Sequence, residues 1–334
     1  MQKLVAGIGV FVAALIVVGL LLPRESRFTL TATVDAPPAT VHALLNDWRR
    51  VALWATFAGD DATLRYSGPA RGSGASVRWD SATGSGVQTI VASRPHELVD
   101  TVINPGEPGE AQVTYTLEPA NRGTEVGLQF RHDYGYNVVG RYFGLLATGL
   151  LRRDYERALD GLQQLAESLP ATDWGALDIE FVRIEPHAIA YVETAAAPGA
   201  AAFDAALGEA YFDVLRFIAA NDLTVSGPPL AILRRFEGTV RRVDAGIPVL
   251  GLESSQPASP AAVKIGQTYG GSAVRIRHVG GYDQLPRIHR EIGAFLAATG
   301  LSRAGDPWEV YVNDAAEVPE RELVTDVYYP VLAP

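Results

Sequence analysis

The chain has 334 residues, 48% hydrophobic and 20% charged, which excludes a disordered polymer and leaves room for two cored domains. Its formal net charge of -10, with no basic stripe, argues against a nucleic-acid partner. The absence of cysteine excludes disulfides, zinc–thiolate and iron–sulfur centres and thiol nucleophiles.

The chain opens on Leu4–Leu22, an uncharged and almost wholly apolar run. At about 1.5 Å per residue it spans roughly 28 Å, close to the thickness of a bilayer core. The run ends Leu20-Leu21-Leu22-Pro23, a poor cleavage site, so an uncleaved transmembrane anchor is expected, with residues 1–26 as anchor and flank. Lys3 on one side nearly balances Arg24 and Arg27 on the other. A short N-terminal anchor commonly inserts with its own terminus in the cytoplasm, which would place the folded domains outside it.

Residues 27–168 read as a first domain. Phe28, Leu30, Ala32 and Val34 alternate with Thr29, Thr31, Thr33 and Asp35, the pattern of a half-buried strand. Asp35-Ala36-Pro37-Pro38 then opens a helix to about Asn46, with prolines in the first turn where a missing N–H costs little. Strands follow at about 63–67, 75–80, 86–93, 97–103, 112–118 and 124–131, separated by turn sequences such as Gly72-Ser73-Gly74 and Asn121-Arg122-Gly123. A long helix over about Gly140–Ser168 closes the domain, with Phe143, Leu146, Leu150, Tyr155, Leu159, Leu162 and Leu165 at helical spacing.

This order resembles the START-like, polyketide-cyclase-like (SRPBCC) superfamily. The likeness rests on the segments Val34–Val41, Gly72–Trp79, Gly123–Val126 and Asp154–Leu162. It implies an α+β helix-grip fold with a deep apolar cavity between the sheet and the closing helix. Trp54, Trp79, Tyr115 and Phe130 are candidates to line that cavity, or else to serve as ordinary core. The fold by itself implies no reaction.

Residues 169–176 form a short linker, and a second domain runs from 177 to 334. It contains one unit twice. The earlier copy has strand Ala188–Glu193, helix Phe203–Asn221, Gly227-Pro228-Pro229, strand Leu230–Arg234 and the ending Ile247–Leu250. The later copy has strand Ala273–Val279, a helix over about Pro286–Thr299, Gly305-Asp306-Pro307, strand Trp308–Tyr311 and the ending Tyr329–Leu332. Phe217 aligns on Phe295, Gly227 on Gly305 and Pro229 on Pro307 without a gap, so a pseudo-twofold arrangement with a cleft is expected. The same alignment sets Ala231 on Glu309.

The ordered set Val279–Tyr282, Gly305–Tyr311 and Glu322–Val331 resembles the GyrI-like effector-binding domain. That resemblance implies two pseudo-symmetric halves around a cleft for hydrophobic, often cationic, small molecules, with Glu309 where drug-sensing members carry a central carboxylate. The candidate ligand-binding residues are Glu309, Tyr311, Tyr282, Tyr211 and Trp308. The alternatives for Glu309 are an edge-strand surface residue or an internal partner for Arg275 or Arg277. The six histidines, His42, His96, His132, His187, His278 and His289, form no metal-ligand spacing, and neither a metal nor a cofactor is expected.

The expected function is a membrane-anchored small-molecule sensor or carrier. One alternative is hydrolysis of strained toxic molecules with Glu309 as general base, the activity of some GyrI-like proteins. Another is a protein-interaction module.

Overall fold

The computed structural model describes residues 2–55, 62–82, 84–104, 110–196, 200–237, 240–251 and 262–332. It divides into two compact units, Met1–Gly175 with Gly293–Gly300, and Ala176–Ile292 with Leu301–Pro334.

In the first unit α1 (Gln2–Leu21) leads into β1 (Glu25–Val34), α2 (Pro38–Leu45) and the short α3 (Trp48–Val51). An antiparallel meander follows, β2 (Thr63–Ser67), β3 (Ser76–Ser81), β4 (Gly84–Arg94), β5 (Leu98–Asn104), β6 (Glu110–Pro119) and β7 (Thr124–Asp133), then α4 (Val138–Ser168). The seven strands form one sheet, β1-β7-β6-β5-β4-β3-β2. The expected α+β helix-grip order is present. The alternation read in β1 is physical, because Phe28, Leu30 and Val34 are buried. Asn137 caps α4 by accepting a hydrogen bond at Oδ1 from Gly140 N at 2.9 Å.

The long helix departs from the sequence reading in one respect. Its spacing put Phe143, Leu146 and Leu150 on the same core stripe as Leu159 and Leu162. Leu159 and Leu162 are buried, but Phe143, Leu146 and Leu150 are 64%, 78% and 62% exposed. At 31 residues α4 is about 46 Å long and outruns the core. Its first residues, Val138, Arg141 and Tyr142, meet the C-terminal end of α1 instead.

Among the described residues no helix is long and apolar enough to cross a membrane. The transmembrane helix expected over Leu4–Leu22 is therefore not supported.

The second unit contains β8 (Ile179–Ile184), β9 (Ala188–Ala196), α5 (Ala200–Ala220), β10 (Thr224–Val225), β11 (Leu230–Glu237) and β12 (Val240–Leu250). It continues with β13 (Val263–Gln267), β14 (Gly271–Val279), the part of α6 (Leu285–Thr299) up to Ile292, β15 (Trp308–Tyr311) and β16 (Val324–Pro330). The sheet order is β13-β9-β12-β11-β15-β16-β14-β8, with β10 paired to β12. Read from either end, equivalent strands of the two copies meet in the same order. The long β12 and the edge strand β13 were not expected from sequence. The symmetry extends to single bonds: Tyr311 N donates to Pro229 O at 3.0 Å and Leu233 N to Pro307 O at 2.8 Å. Likewise Ser226 N donates to Pro248 O at 2.9 Å, and Ala304 N to Pro330 O at 3.0 Å.

One buried group of the first unit makes stability depend on pH. His42 on α2 is 7% exposed, its Nε2 is 3.1 Å from Ser93 Oγ, and its ring meets His96 edge-on at 6.0 Å. Burial first, and the His96 charge second, push its pKa down to about 4. The unfolded chain, with an ordinary imidazole, takes up a proton at higher pH than the folded one. Stability is therefore full above about pH 6.5 and falls as the pH drops toward 4. Between pH 7 and pH 5 urea denaturation is expected to show a loss of about 2 kcal/mol. The His42→Gln variant is expected to lose that dependence.

Candidate functional site

The twofold relation has a physical centre. β11 and β15 pair antiparallel with Leu230 opposite Val310, Ala231 opposite Glu309 and Ile232 opposite Trp308. Ala231 and Glu309, equivalent in the two repeats, are thus direct cross-strand neighbours, and the pseudo-twofold axis passes between them. The two sides of the axis differ in chemistry. Around Ala231 there is an apolar cluster of Leu207, Ala210, Leu233, Val243 and Ala245, with Tyr211 and Tyr311 packed against it. On the other side a carboxylate is buried.

Glu309 is 2% exposed. Its Oε1 lies 2.7 Å from Nε2 of His289 on α6, and its Oε2 accepts a hydrogen bond from Tyr311 Oη at 2.7 Å. The other ring nitrogen of His289, Nδ1, lies 2.8 Å from Tyr329 Oη. Tyr329, His289, Glu309 and Tyr311 therefore form one continuous chain of titratable side chains. Hydrogen bonds to a charged group contribute about 1.5–3 kcal/mol each. They satisfy the carboxylate's oxygens, but they leave one net negative charge whenever the imidazole is neutral. The alternative arginine partners are engaged elsewhere: Arg275 binds Glu180, and Arg277 makes a two-pronged pair with Asp326 at 2.8 Å.

Of the remaining expected residues, Tyr211 and Tyr282 lie close to the carboxylate and Trp308 does not. Tyr211 donates to Leu230 O at 3.0 Å, at the centre of the sheet. The Tyr282 ring meets the Tyr311 ring edge-on, with centroids 5.3 Å apart. Trp308 precedes Glu309 on the strand and so points to the opposite face, where it stacks on Tyr328 at 4.8 Å.

Electrostatically the site has one sign. The Tyr211 and Tyr311 hydroxyls are pushed well up, by burial first and then by the Glu309 charge. Tyr282 is raised by burial, then by Asp314, Asp204 and Glu309. The Asp204 carboxyl, on the exposed side of α5, is raised by burial and then by Glu309. Among the described residues, the carboxylates that raise these four groups are Glu309, Asp204 and Asp314.

His289, Asp204 and Tyr329 were missed by the sequence reading. A signal for His289 existed, since the offset that aligns Phe217 on Phe295 also aligns Tyr211 on His289. Both repeats place a polar ring from the helix over the central strands.

In the first unit Trp54, Tyr115 and Phe130 belong to one packed core. Phe28 and Phe130 stack at 4.9 Å, and Tyr155 of α4 packs against both. Trp79 is half-buried on β3, opposite Gly86 of β4. Burial raises the pKa of the Tyr115 and Tyr155 hydroxyls, and Tyr155 raises that of Tyr115 further, so two phenols face one another inside the helix–sheet interface. An open cavity of about 580 Å³ lies elsewhere, lined by Glu110, Gln112, Arg131, Asp133, Tyr136 and Asn137 among others. Val102 and Tyr134 line it beside these polar groups.

The hydrogen-bond chain yields a prediction. Tyr311→Phe deprives a buried carboxylate oxygen of its donor and is expected to destabilise the protein by about 1–3 kcal/mol in urea denaturation. Tyr282→Phe, which removes a hydroxyl that makes no bond to Glu309, is expected to leave stability within about 0.5 kcal/mol.

Comparison with known proteins matches two separate stretches of the chain. Residues 25–167 match the polyketide cyclase/dehydrase and lipid transport family. Residues 178–332 match the GyrI-like small molecule binding domain. No curated protein matches the chain. Among solved structures, the EcmrR C-terminal domain is 14% identical, covering 48% of this chain and 99% of that one, with a TM-score of 0.41. EcmrR in its DNA complex is 15% identical, covering 59% and 72%, with a TM-score of 0.42. A hydrolase from Listeria innocua is 15% identical, covering 46% and 91%, with a TM-score of 0.33. The chain carries a polyketide cyclase/dehydrase and lipid transport domain followed by a GyrI-like small molecule binding domain.

Proposed function

We propose that this protein is a small-molecule-binding protein held at a membrane, and that its GyrI-like domain takes a hydrophobic cation beside Glu309. The observation that carries the reading is a 2%-exposed carboxylate whose side-chain hydrogen-bond partners among the described residues are a histidine and a tyrosine. A buried charge without a counter-ion costs several kcal/mol. A cationic ligand supplies the counter-ion, and the faces of Tyr211, Tyr282 and Tyr311 add cation–π attraction of roughly 0.5–2 kcal/mol each. Asp204 and Asp314 contribute attraction of the same sign.

Membrane attachment is supported by α1. From Leu4 onward it carries no charged residue, and large apolar side chains are exposed along it, with Val10 at 72%, Phe11 at 64% and Leu21 at 81%. Such a helix is costly in water and favourable in hydrocarbon.

A second reading gains support from His289. A hydrolase with Glu309 as general base needs a second polar group to hold its proton or its water, and His289 is 2.7 Å away. Binding ranks first because both carboxylate oxygens are already occupied by donors.

Isothermal titration of the full chain in detergent tests the order of these readings. Tetraphenylphosphonium is expected to bind wild type, and Glu309→Gln is expected to weaken it about 30-fold, or ~2 kcal/mol. The neutral analogue triphenylphosphine oxide is expected to be insensitive to that change. Equal loss for both ligands, or for neither, contradicts the cation reading.

A further inference from the structure

The first half of α4 is built like a helix that belongs in lipid. Val139, Phe143, Leu146 and Leu150 recur at intervals of four, three and four residues, so they form one stripe, and they are 77%, 64%, 78% and 62% exposed. Leu145, beside the stripe, is 61% exposed. From Tyr142 to Leu151 the helix carries no charged residue, and Arg152-Arg153-Asp154 ends that stretch. On a water-facing surface a patch of this size is unusual and marks an interaction surface.

The same half-helix is clamped to α1. Arg141 is 7% exposed, and its Nη1 donates to Leu20 O at 2.7 Å and Leu22 O at 3.3 Å, binding the carbonyls at the C-terminal end of α1. Tyr142 Oη donates to Leu15 O at 2.9 Å. Gly19 permits the close approach, because a Cβ there would lie 2.3 Å from Val138 Cγ1 and 2.8 Å from Tyr142 Cε2. Val138 and Tyr142 thus meet Gly19 while Tyr142 also meets Leu15, so the helices run antiparallel. A medium that surrounds the C-terminal end of α1 therefore also reaches the start of the stripe on α4.

We infer that residues 139–150 of α4 are embedded in the bilayer as the partner of α1, making a two-helix apolar insertion rather than a single anchor. The inference rests on the proposal that α1 is membrane-attached. Arg152 and Arg153, both exposed, then stand where the helix leaves the hydrocarbon and meets the lipid phosphates. A bilayer is the occupant favoured over a second copy of the chain, because the stripe continues the exposed apolar surface of α1 and carries no polar group to register a protein partner.

The absence of cysteine makes the test clean. Single variants Val10→Cys, Phe143→Cys, Leu146→Cys, Leu150→Cys and Gln164→Cys of the full chain are labelled with the fluorophore NBD. They are then reconstituted in phosphatidylcholine–phosphatidylglycerol vesicles. All five sites are exposed, so the core is left intact. Labels at 10, 143, 146 and 150 are expected to be quenched by lipid-borne doxyl groups and reduced by aqueous dithionite at least about tenfold more slowly than at 164. A shielded label at 10 with labels at 143, 146 and 150 as accessible as at 164 overturns the inference and leaves the α1 proposal standing. Free access at 10 overturns both. Labels on α4 that resist dithionite without doxyl quenching overturn the bilayer as occupant and point to a second copy.

Discussion

The second domain depends on one buried negative charge placed on a symmetry axis. Duplication brings β11 and β15 together in register, so whatever residue occupies the central position meets its own equivalent across the strand pair. Two carboxylates there would repel at a separation where like charges cost most. Two alanines would make an inert apolar seam. This chain has one of each, Ala231 and Glu309, and the asymmetry makes a charged site out of a symmetric scaffold. The helices follow suit: α5 contributes Tyr211, bound to a backbone carbonyl, and α6 contributes His289, bound to the carboxylate. Burial, hydrogen bonding and the one-signed field around Tyr211, Tyr282, Tyr311 and Asp204 all follow from that single placement.

The two domains use their interiors differently. In the first, aromatic side chains fill the interface between sheet and helix, and its buried polar groups include the phenols of Tyr115 and Tyr155. In the second, the polar chain from Tyr329 to Tyr311 sits on the central strands. The first domain also carries α1 and the overhanging half of α4, so the apolar surface and the filled core belong to one unit. The proposed membrane attachment and the proposed site for a hydrophobic cation are chemically consistent, because such ligands partition into bilayers.

Much of this was legible in the residues. Alternation in β1 and β14, the turn glycines and the Gly-x-Pro repeats place most elements, since each has a local physical cause. Val274, Ile276 and His278 on one face of β14 are buried, as alternation requires. The equivalence of Ala231 and Glu309 was legible, but their contact was not. Contact depends on which strands of the two repeats become central, which is a property of the sheet and not of either segment. His289 escaped notice because no spacing rule marks a lone histidine, although its alignment on Tyr211 held the clue. Helical spacing in α4 identified an apolar stripe but could not say what covers it. Only the length of the core, which ends near Leu151, separates the buried half from the exposed one.

The central claim is that Glu309 is an uncompensated buried charge kept for a ligand and not part of a structural ion pair. Hydrogen-exchange mass spectrometry of β11 and β15 in ligand-free Glu309→Gln tests it directly. The glutamine carbonyl can accept from His289 and its amide can donate to Tyr311, so the bonds remain and only the charge goes. The account predicts protection equal to wild type or up to about tenfold greater, because a desolvated charge has been removed. Exchange about 100-fold faster, as for breaking a buried ion pair worth 3–5 kcal/mol, would contradict it.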